Sequence, residues 1–180
     1  YKNIVTTFQK TYPRYETQTE CILAAHFHLA PDCQAAADQL AQMILSCKTK
    51  LQTGFVGTPY LLHVLSQYGY SELAYSLLLR RQYPSWLYPV TKGATTIWEH
   101  WDGIMENGDF WSSDMNSYNH YAYGSVADWV YGVAAGITPL EEAPGYAKVR
   151  IAPTPDIRLD WLTARLDTRH AVSYTHLTLP

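Results

Sequence analysis

No run of about 18 consecutive apolar residues occurs in the 180-residue sequence, so no segment has the length and apolarity of a membrane-spanning helix. Positive charge is also scarce: 13 Lys and Arg stand against 16 Asp and Glu, a formal net charge of −3. Without a basic surplus to displace counterions from phosphates, the balance argues against a nucleic-acid partner. Cysteine is limited to Cys21, Cys33 and Cys47, an odd number among apolar neighbours. That usage suits small buried hydrophobes rather than a disulfide framework, and it points to no particular compartment. A Gly-rich phosphate loop, a P-loop and a nucleophile elbow are all missing. The opening Tyr1-Lys2-Asn3-Ile4 has neither an initiating Met nor a signal-peptide pattern, and the sequence is expected to be an internal part of something longer.

What is present is apolar and aromatic. Hydrophobic residues make up 47%, which excludes disorder, and the length suits one domain with a real core. Fifteen Tyr, six Trp and four Phe amount to 14% of the residues, and five of the six Trp fall between Trp86 and Trp129. Local ring enrichment of this kind fits a sugar-binding cleft, where pyranose faces stack on aromatic rings. It fits an aromatic core or interface equally well by composition.

The first two thirds read as helices. Thr17 to Leu29 has helical rhythm and stops before Pro31. From an Asp32 cap, Cys33, Ala37, Leu40, Ile44 and Cys47 step by three and four, the stripe of an amphipathic helix. Thr58-Pro59 predicts another start, with Thr58 as N-cap and Pro59 at the first helical position. Leu61, Leu62, Leu65 and Tyr68 form its stripe, and Gly69 its stop. Ser71 is expected to cap a partner helix carrying Leu73, Ala74, Leu77 and Leu78, making an αα-hairpin. Between Gln82 and Asn116 the period disappears in favour of Pro84, Pro89, Gly93, Gly103 and Gly108, interleaved with tryptophans. This is a long functional loop, with a short helix expected around Ile97 to Asp102. Helix is expected again from near Ser117 to Gly136. Thr138 to Gly145 reads as a linker, followed by alternating strand patterns at Lys148–Ile151 and Leu159–Asp167. Two strands do not complete a stable sheet domain. The terminal Val172 to Pro180 resembles translated adaptor read-through found at the ends of some metagenomic genes, so the native sequence is expected to end near Ala171.

Glu99 is the leading candidate for chemistry. It stands between Trp98 and Trp101 in the long loop, where rings could bind a sugar and a carboxylate could work on the bond. An inverting glycosidase needs one acid to protonate the leaving oxygen and one carboxylate to deprotonate water. A loop-capping or ion-paired Glu is the plain alternative. His120 lies 21 positions later in Asn119-His120-Tyr121; it could hydrogen-bond a sugar hydroxyl, although a capping or core histidine is the simpler reading of the residue alone. Cys21, His26, His28 and Cys33 invite a zinc site, which spacing rejects. On a helix His26 and His28 lie about 200° apart around the axis, and Cys33 follows Pro31. Asp102, Glu106, Asp109 and Asp114 read as solvated loop charges.

The blocks Thr53-Gly54-Phe55-Val56-Gly57-Thr58-Pro59-Tyr60-Leu61-Leu62, Tyr83-Pro84-Ser85-Trp86-Leu87-Tyr88, Gly93-Ala94-Thr95-Thr96-Ile97-Trp98-Glu99 and Met115-Asn116-Ser117-Tyr118-Asn119-His120-Tyr121-Ala122 resemble the α-L-rhamnosidases of glycoside hydrolase family 78. The resemblance runs from about Thr17 to Pro155. It implies a mainly α fold: residues 1–137 as the later hairpins of an (α/α)6 barrel, 138–171 as the linker and first strands of a C-terminal β-sandwich, and 172–180 as the non-native tail. It also implies that Glu99 is the general base and that His120 contacts rhamnose, with Trp86 and Trp101 as candidate sugar-facing rings. No metal or cofactor is implied, and the partner would be a rhamnose-containing glycoside or polysaccharide. The family's general acid lies in an Asp-, Arg- and Glu-rich block before a Trp-Thr-Gly-Asp stretch, and nothing like it occurs between Tyr1 and Leu51. Inactivity of this sequence on its own is therefore expected. Another inverting (α/α)6 glycosidase and a non-catalytic carbohydrate-binding fragment are the alternatives.

Overall fold

A computed structural model of the chain describes residues 1–170 and 172–178. The fold is mainly helical, and the chain divides into two compact units, Tyr1–Ser125 and a second beginning at Val126.

The first unit is built from helices α1 (Lys2–Thr11), α2 (Gln18–His26), α3 (Cys33–Ser46), α4 (Thr58–Gln67), α5 (Ser71–Leu78) and the short α6 (Leu87–Thr91). Its core comes from four of them. Ile22 and Ala25 of α2, Leu40 and Ile44 of α3, Leu61 and Leu65 of α4, and Leu77 of α5 are fully buried, at the three- and four-residue spacing of a helix face. Helix α2 packs against α3 and α4, and α4 against α5, so the expected hairpin of α4 and α5 is present and α2–α3 forms a second consecutive pair. Cys21 lies in this core with no exposure, and burial pushes its thiol up to about 11, so it behaves as a small apolar side chain. Helix α1 contributes no buried residue and was not expected, although Ile4, Val5 and Phe8 carry a helical spacing.

Local signals explain most helix ends. Thr17 and Glu20 form a reciprocal capping box at the start of α2, and the Asp32 side chain accepts the Ala35 N–H at 3.0 Å at the start of α3. Two expected caps are corrected. Gly57 is the N-cap of α4, and Thr58 lies inside the helix, where its hydroxyl meets that of Thr53 at 2.8 Å. Tyr70, not Ser71, caps α5. In both cases the helix begins one residue earlier than expected; at α4 the Thr58 hydroxyl is engaged by Thr53 and caps no helix N–H.

A buried amide sets up the connection between α3 and α4. Gln18, 2% exposed, donates to the Lys50 carbonyl at 3.1 Å and accepts the Gln52 N–H at 2.9 Å. With the chain tied to α2 there, the Thr53–Thr58 hydroxyl pair and the Thr58 N–H to Gly54 carbonyl bond (3.0 Å) close a tight turn carrying Phe55 at its tip.

The stretch from Gln82 to Asn116 is largely irregular, as expected, but contains α6; the peptide bond before Pro84 is cis. The helix expected around Ile97 to Asp102 is absent, and those residues form bends and turns. Residues 117–121 are not helical either. A 3₁₀ turn begins only at Ala122 and runs to Ser125.

The second unit opens with α7 (Val126–Trp129) and a π-type turn, Val130–Ala134. Strand β1 (Ile137–Pro139), where a linker was expected, pairs antiparallel with β2 (Val149–Ile151). Strand β3 (Trp161–Asp167) pairs antiparallel with β4 (Val172–Thr178), Trp161 opposite Thr178 and Asp167 opposite Val172. Burial alternates along β3, as the sequence pattern predicted. Thr175 of β4 is buried and donates to the Ala135 carbonyl at 3.1 Å. Ala171, Leu179 and Pro180, where the expected native end and the end of the read-through tail fall, lie outside the described residues.

Gly136 is the tightest point of this unit. Its φ is +69°, and a Cβ there would stand 2.1 Å from the Ala152 carbonyl carbon. Gly136→Ala is therefore expected to destabilise by more than about 1 kcal/mol, and Thr17→Ala by about 1 kcal/mol. Urea unfolding followed by circular dichroism checks both; an unchanged midpoint for Gly136→Ala would show that the 136/152 contact is not tight in solution.

Candidate functional site

The irregular segment from residue 94 to 121 cannot satisfy its backbone through a helix, so it does so by pairing with itself. The Glu99 N–H donates to the Ser117 carbonyl at 3.0 Å, and the His120 N–H donates to the Ile97 carbonyl at 2.8 Å. The Thr96 hydroxyl bonds the Tyr118 carbonyl. The segments bearing Glu99 and His120, 21 positions apart in sequence, thus lie side by side. Between them the chain makes a narrow hairpin, with Ile104 bridging Phe110 and Gly108 in the left-handed conformation (φ +91°) that the turn requires.

Rings hold this arrangement from within. Trp98 is 5% exposed and meets Tyr118 edge-on at 5.2 Å, and the Tyr118 hydroxyl donates to the Gly103 carbonyl at 2.8 Å. Gly103 has no room for a side chain, because a Cβ would sit 3.0 Å from the Tyr118 ring and 3.1 Å from that of Trp98. His100 stacks on Trp111 at 3.5 Å. Of the two tryptophans flanking Glu99, then, Trp98 is a core residue of the loop.

The remaining sequence candidates fall on one connected row of rings. Trp86 meets Trp101 edge-on (5.3 Å, 83°), and Trp101 stacks on Tyr123 (3.8 Å, 11°). Tyr123 touches Phe55 (5.3 Å), which stacks on His120 (4.9 Å, 15°). The Trp86 indole N–H donates to the Tyr123 carbonyl at 2.9 Å, which anchors the row to the 3₁₀ turn. The Trp101 indole nitrogen is buried and meets no acceptor among the described residues. Phe55 and Tyr123 were missed as site residues. Phe55 reads locally as part of a tight turn, and Tyr123 as one more aromatic on a helix face; only their position beside His120 and Trp101 marks them. The cavity shared by Trp86, Trp101, Tyr123 and Ile97 is about 40 Å³, room for one water rather than a pyranose, so the row is a wall rather than an enclosing pocket.

Glu99 is half-buried, and among the described residues its carboxylate receives no hydrogen bond and no ion pair. It lies close enough to Tyr123 to add to the upward shift of that phenol, which burial dominates and Tyr83 reinforces. The His120 Nδ1 accepts the Ala122 N–H at 3.4 Å, a long contact that favours Nε2 as the donor nitrogen of a neutral ring. A carboxylate free to accept a proton and an imidazole edge free to donate one therefore sit on neighbouring segments beside an aromatic wall. Of Cys21, His26, His28 and Cys33, the Cys33 thiol meets the His28 Nδ1 at 3.9 Å, but among the described residues no three His, Cys, Asp or Glu side chains gather closely enough to hold a metal ion.

Residues 2–134 match the model of the bacterial α-L-rhamnosidase six-hairpin glycosidase domain. An α-L-rhamnosidase of Streptomyces avermitilis is 48% identical over 142 residues, which covers 78% of this chain and 14% of that protein. One from Formosa agariphila is 38% identical over 177 residues, covering 93% and 19%. Among solved structures, the crystal structure of the Streptomyces avermitilis α-L-rhamnosidase complexed with L-rhamnose superposes with a TM-score of 0.93 at 41% identity. It covers 99% of this chain and 18% of that one. Native α-L-rhamnosidase from Aspergillus terreus gives 0.92 at 36% identity, covering 97% and 21%. The chain spans less than a fifth of the length of these two curated relatives.

Three phenols around the site, Tyr83, Tyr88 and Tyr123, are each raised above the ordinary value of 10.0, burial being the first cause in every case. A raised phenol favours the folded state while it stays protonated. That contribution is complete below pH 10 and is lost as pH rises through the folded-state values. Absorbance titration at 295 nm should show tyrosines ionising late, with thermal stability falling from about pH 10 upward. The fall should be shallower in Tyr123→Phe, and an equal fall in that variant would remove Tyr123 from the set.

Proposed function

The chain belongs to the family of bacterial α-L-rhamnosidases with a six-hairpin glycosidase domain, and from that membership we propose that it is the later part of the catalytic domain of an enzyme that hydrolyses terminal α-L-rhamnosides with inversion. On this reading α2–α3 and α4–α5 are later hairpins of an (α/α)6 barrel, and the strands after Gly145 begin a C-terminal β-sandwich. The observation that carries the proposal is the backbone pairing of the segment bearing Glu99, whose carboxylate is unpaired among the described residues, with the segment bearing His120.

Glu99 takes the role of general base. Its carboxylate accepts a proton from water, the water oxygen bonds to the anomeric carbon, and the glycosidic bond breaks on the opposite face. The leaving oxygen takes a proton from a general acid outside this sequence, at the separation of about 6.5–9.5 Å that leaves room for the water. His120 donates from Nε2 to a sugar hydroxyl, and Trp86 and Trp101 supply the apolar wall along which the sugar lies. The unpaired state of Glu99 supports the base role, since a carboxylate already held by strong donors would be a poorer proton acceptor. The rhamnose reading draws support from the relative whose crystal structure contains L-rhamnose.

Two outcomes follow. In the complete enzyme, restored from the source gene and assayed on p-nitrophenyl α-L-rhamnoside, Glu99→Gln is expected to lower kcat about a thousandfold with the fold intact. Activity within a few-fold of the parent would remove Glu99 from the mechanism, and millimolar rhamnose binding without turnover in the parent would favour a binding module. The 180-residue chain alone, lacking the acid, is expected to show no turnover; efficient hydrolysis by it would refute the assignment of the acid to residues outside it.

A further inference from the structure

The Thr53–Thr58 turn belongs to the most extended family-like block in the sequence, yet the mechanism above gives it no task. Its construction is nonetheless specific. Gln18 ties down the chain entering it, the Thr53 and Thr58 hydroxyls close it at 2.8 Å, and both threonines are buried. The side chain it presents is Phe55, left 42% exposed rather than packed among the helices.

That ring lies nearly parallel to the His120 imidazole, 4.9 Å away at 15°, and it also touches Tyr123, whose own ring stacks on Trp101. Phe55 is therefore the side chain that connects His120 to the tryptophan wall. The imidazole needs such a connection. Rotation about the bond from Cβ to the ring is broad and roughly two-fold, so a rotamer alone does not choose the ring plane. The Ala122 N–H to Nδ1 bond, at 3.4 Å, is too long to hold the plane by itself. Tyr121 also lies parallel to His120, at 5.5 Å, but is 89% exposed and has no ring beyond it to brace against among the described contacts. A flat, braced ring against one imidazole face limits rotation of the ring and leaves its edge available to the substrate.

We propose that Phe55 is a positioning residue for His120: it sets the imidazole plane so that Nδ1 meets the Ala122 N–H and Nε2–H is directed at a substrate hydroxyl. The proposal rests on the reading of His120 as a rhamnose contact. Phe55 acts through His120 and performs no chemistry itself.

The test is a double-mutant cycle in the complete enzyme, with Phe55→Leu, Phe55→Tyr, His120→Ala and the Phe55→Leu/His120→Ala pair, all checked for an unchanged melting temperature. Phe55→Leu keeps apolar bulk but loses the planar stack, and kcat/KM is expected to fall about tenfold. Phe55→Tyr, which keeps the stack, should stay within about twofold of the parent, and in the His120→Ala background Phe55→Leu should cost nothing further. An equal tenfold loss in that background, or no loss in the parent, overturns the proposal while leaving the hydrolase reading intact. A parent enzyme without rhamnosidase activity defeats the hydrolase reading instead. The positioning role is then decided by long-range ¹⁵N–¹H spectra of the 180-residue chain. A predominantly Nε2–H tautomer that becomes mixed in Phe55→Leu supports it, and an unaltered tautomer overturns it.

Discussion

Two backbone hydrogen bonds, Glu99 N–H to the Ser117 carbonyl and His120 N–H to the Ile97 carbonyl, are the constraint on which the candidate site depends. The stretch they join has no sustained helical or strand period and is interrupted by Gly103 and Gly108, so each buried peptide group in it must find a partner some other way. Crossing the hairpin with these bonds satisfies that requirement, and the same step brings the carboxylate segment and the imidazole segment together. Everything inside the crossing follows from it. Trp98 and Tyr118 fill the interior, Gly103 leaves them space, and the Tyr118 hydroxyl adds a second bond to the Gly103 carbonyl, which also accepts the Trp111 N–H.

The helices supply what this irregular segment cannot. Their apolar faces from α2 to α5 bury a contiguous core, and the order they impose reaches the site at two points. One is the Gln18 amide, which uses a donor and an acceptor to fix the chain before the Thr53–Thr58 turn. The other is the Trp86 indole, which bonds the Tyr123 carbonyl. A buried amide with both its groups bonded is a more directional tie than any apolar contact, because an unmet donor or acceptor there would cost about 1–3 kcal/mol. The loop residues of the candidate site are in this way held by polar contacts at their ends and by rings along their length.

Much of this was legible in the sequence. The Asp32 cap, the helical rhythm from Thr17, the apolar stripes of α3 and α4, and the alternation of β3 are local signals, and the structure agrees with them. The misplaced caps at Thr58 and Ser71, and the helices expected at 97–102 and from Ser117, share one cause. Each was judged from local preference; Thr58 instead spends its hydroxyl on Thr53 in the preceding turn, and residues 117–120 answer to crossing bonds with residues 96–99, about 20 positions earlier. Strand β1 was missed because three residues, Ile137–Pro139, are too few to show a period and are defined by their pairing with Val149–Ile151.

At the site the division is similar. Residue type and neighbourhood singled out Glu99, a carboxylate among tryptophans, and drew notice to His120, whereas Trp86 and Trp101 became candidate sugar-facing rings only through the family resemblance. Family membership was equally readable, because it is carried by contiguous blocks of residues. Composition could not separate a ring that packs from a ring that faces outward. Tertiary structure decided that Trp98 is core, that Trp101 spends one face on Tyr123, and that Phe55 stands against His120 from a turn more than 60 positions earlier. The sequence by itself determined the core helices α2 to α5 and marked the candidate side chains, because apolar periodicity and residue type are local properties. Only the tertiary structure decided which of those side chains meet, because that depends on hydrogen bonds and ring contacts between segments whose separation along the chain leaves no local trace.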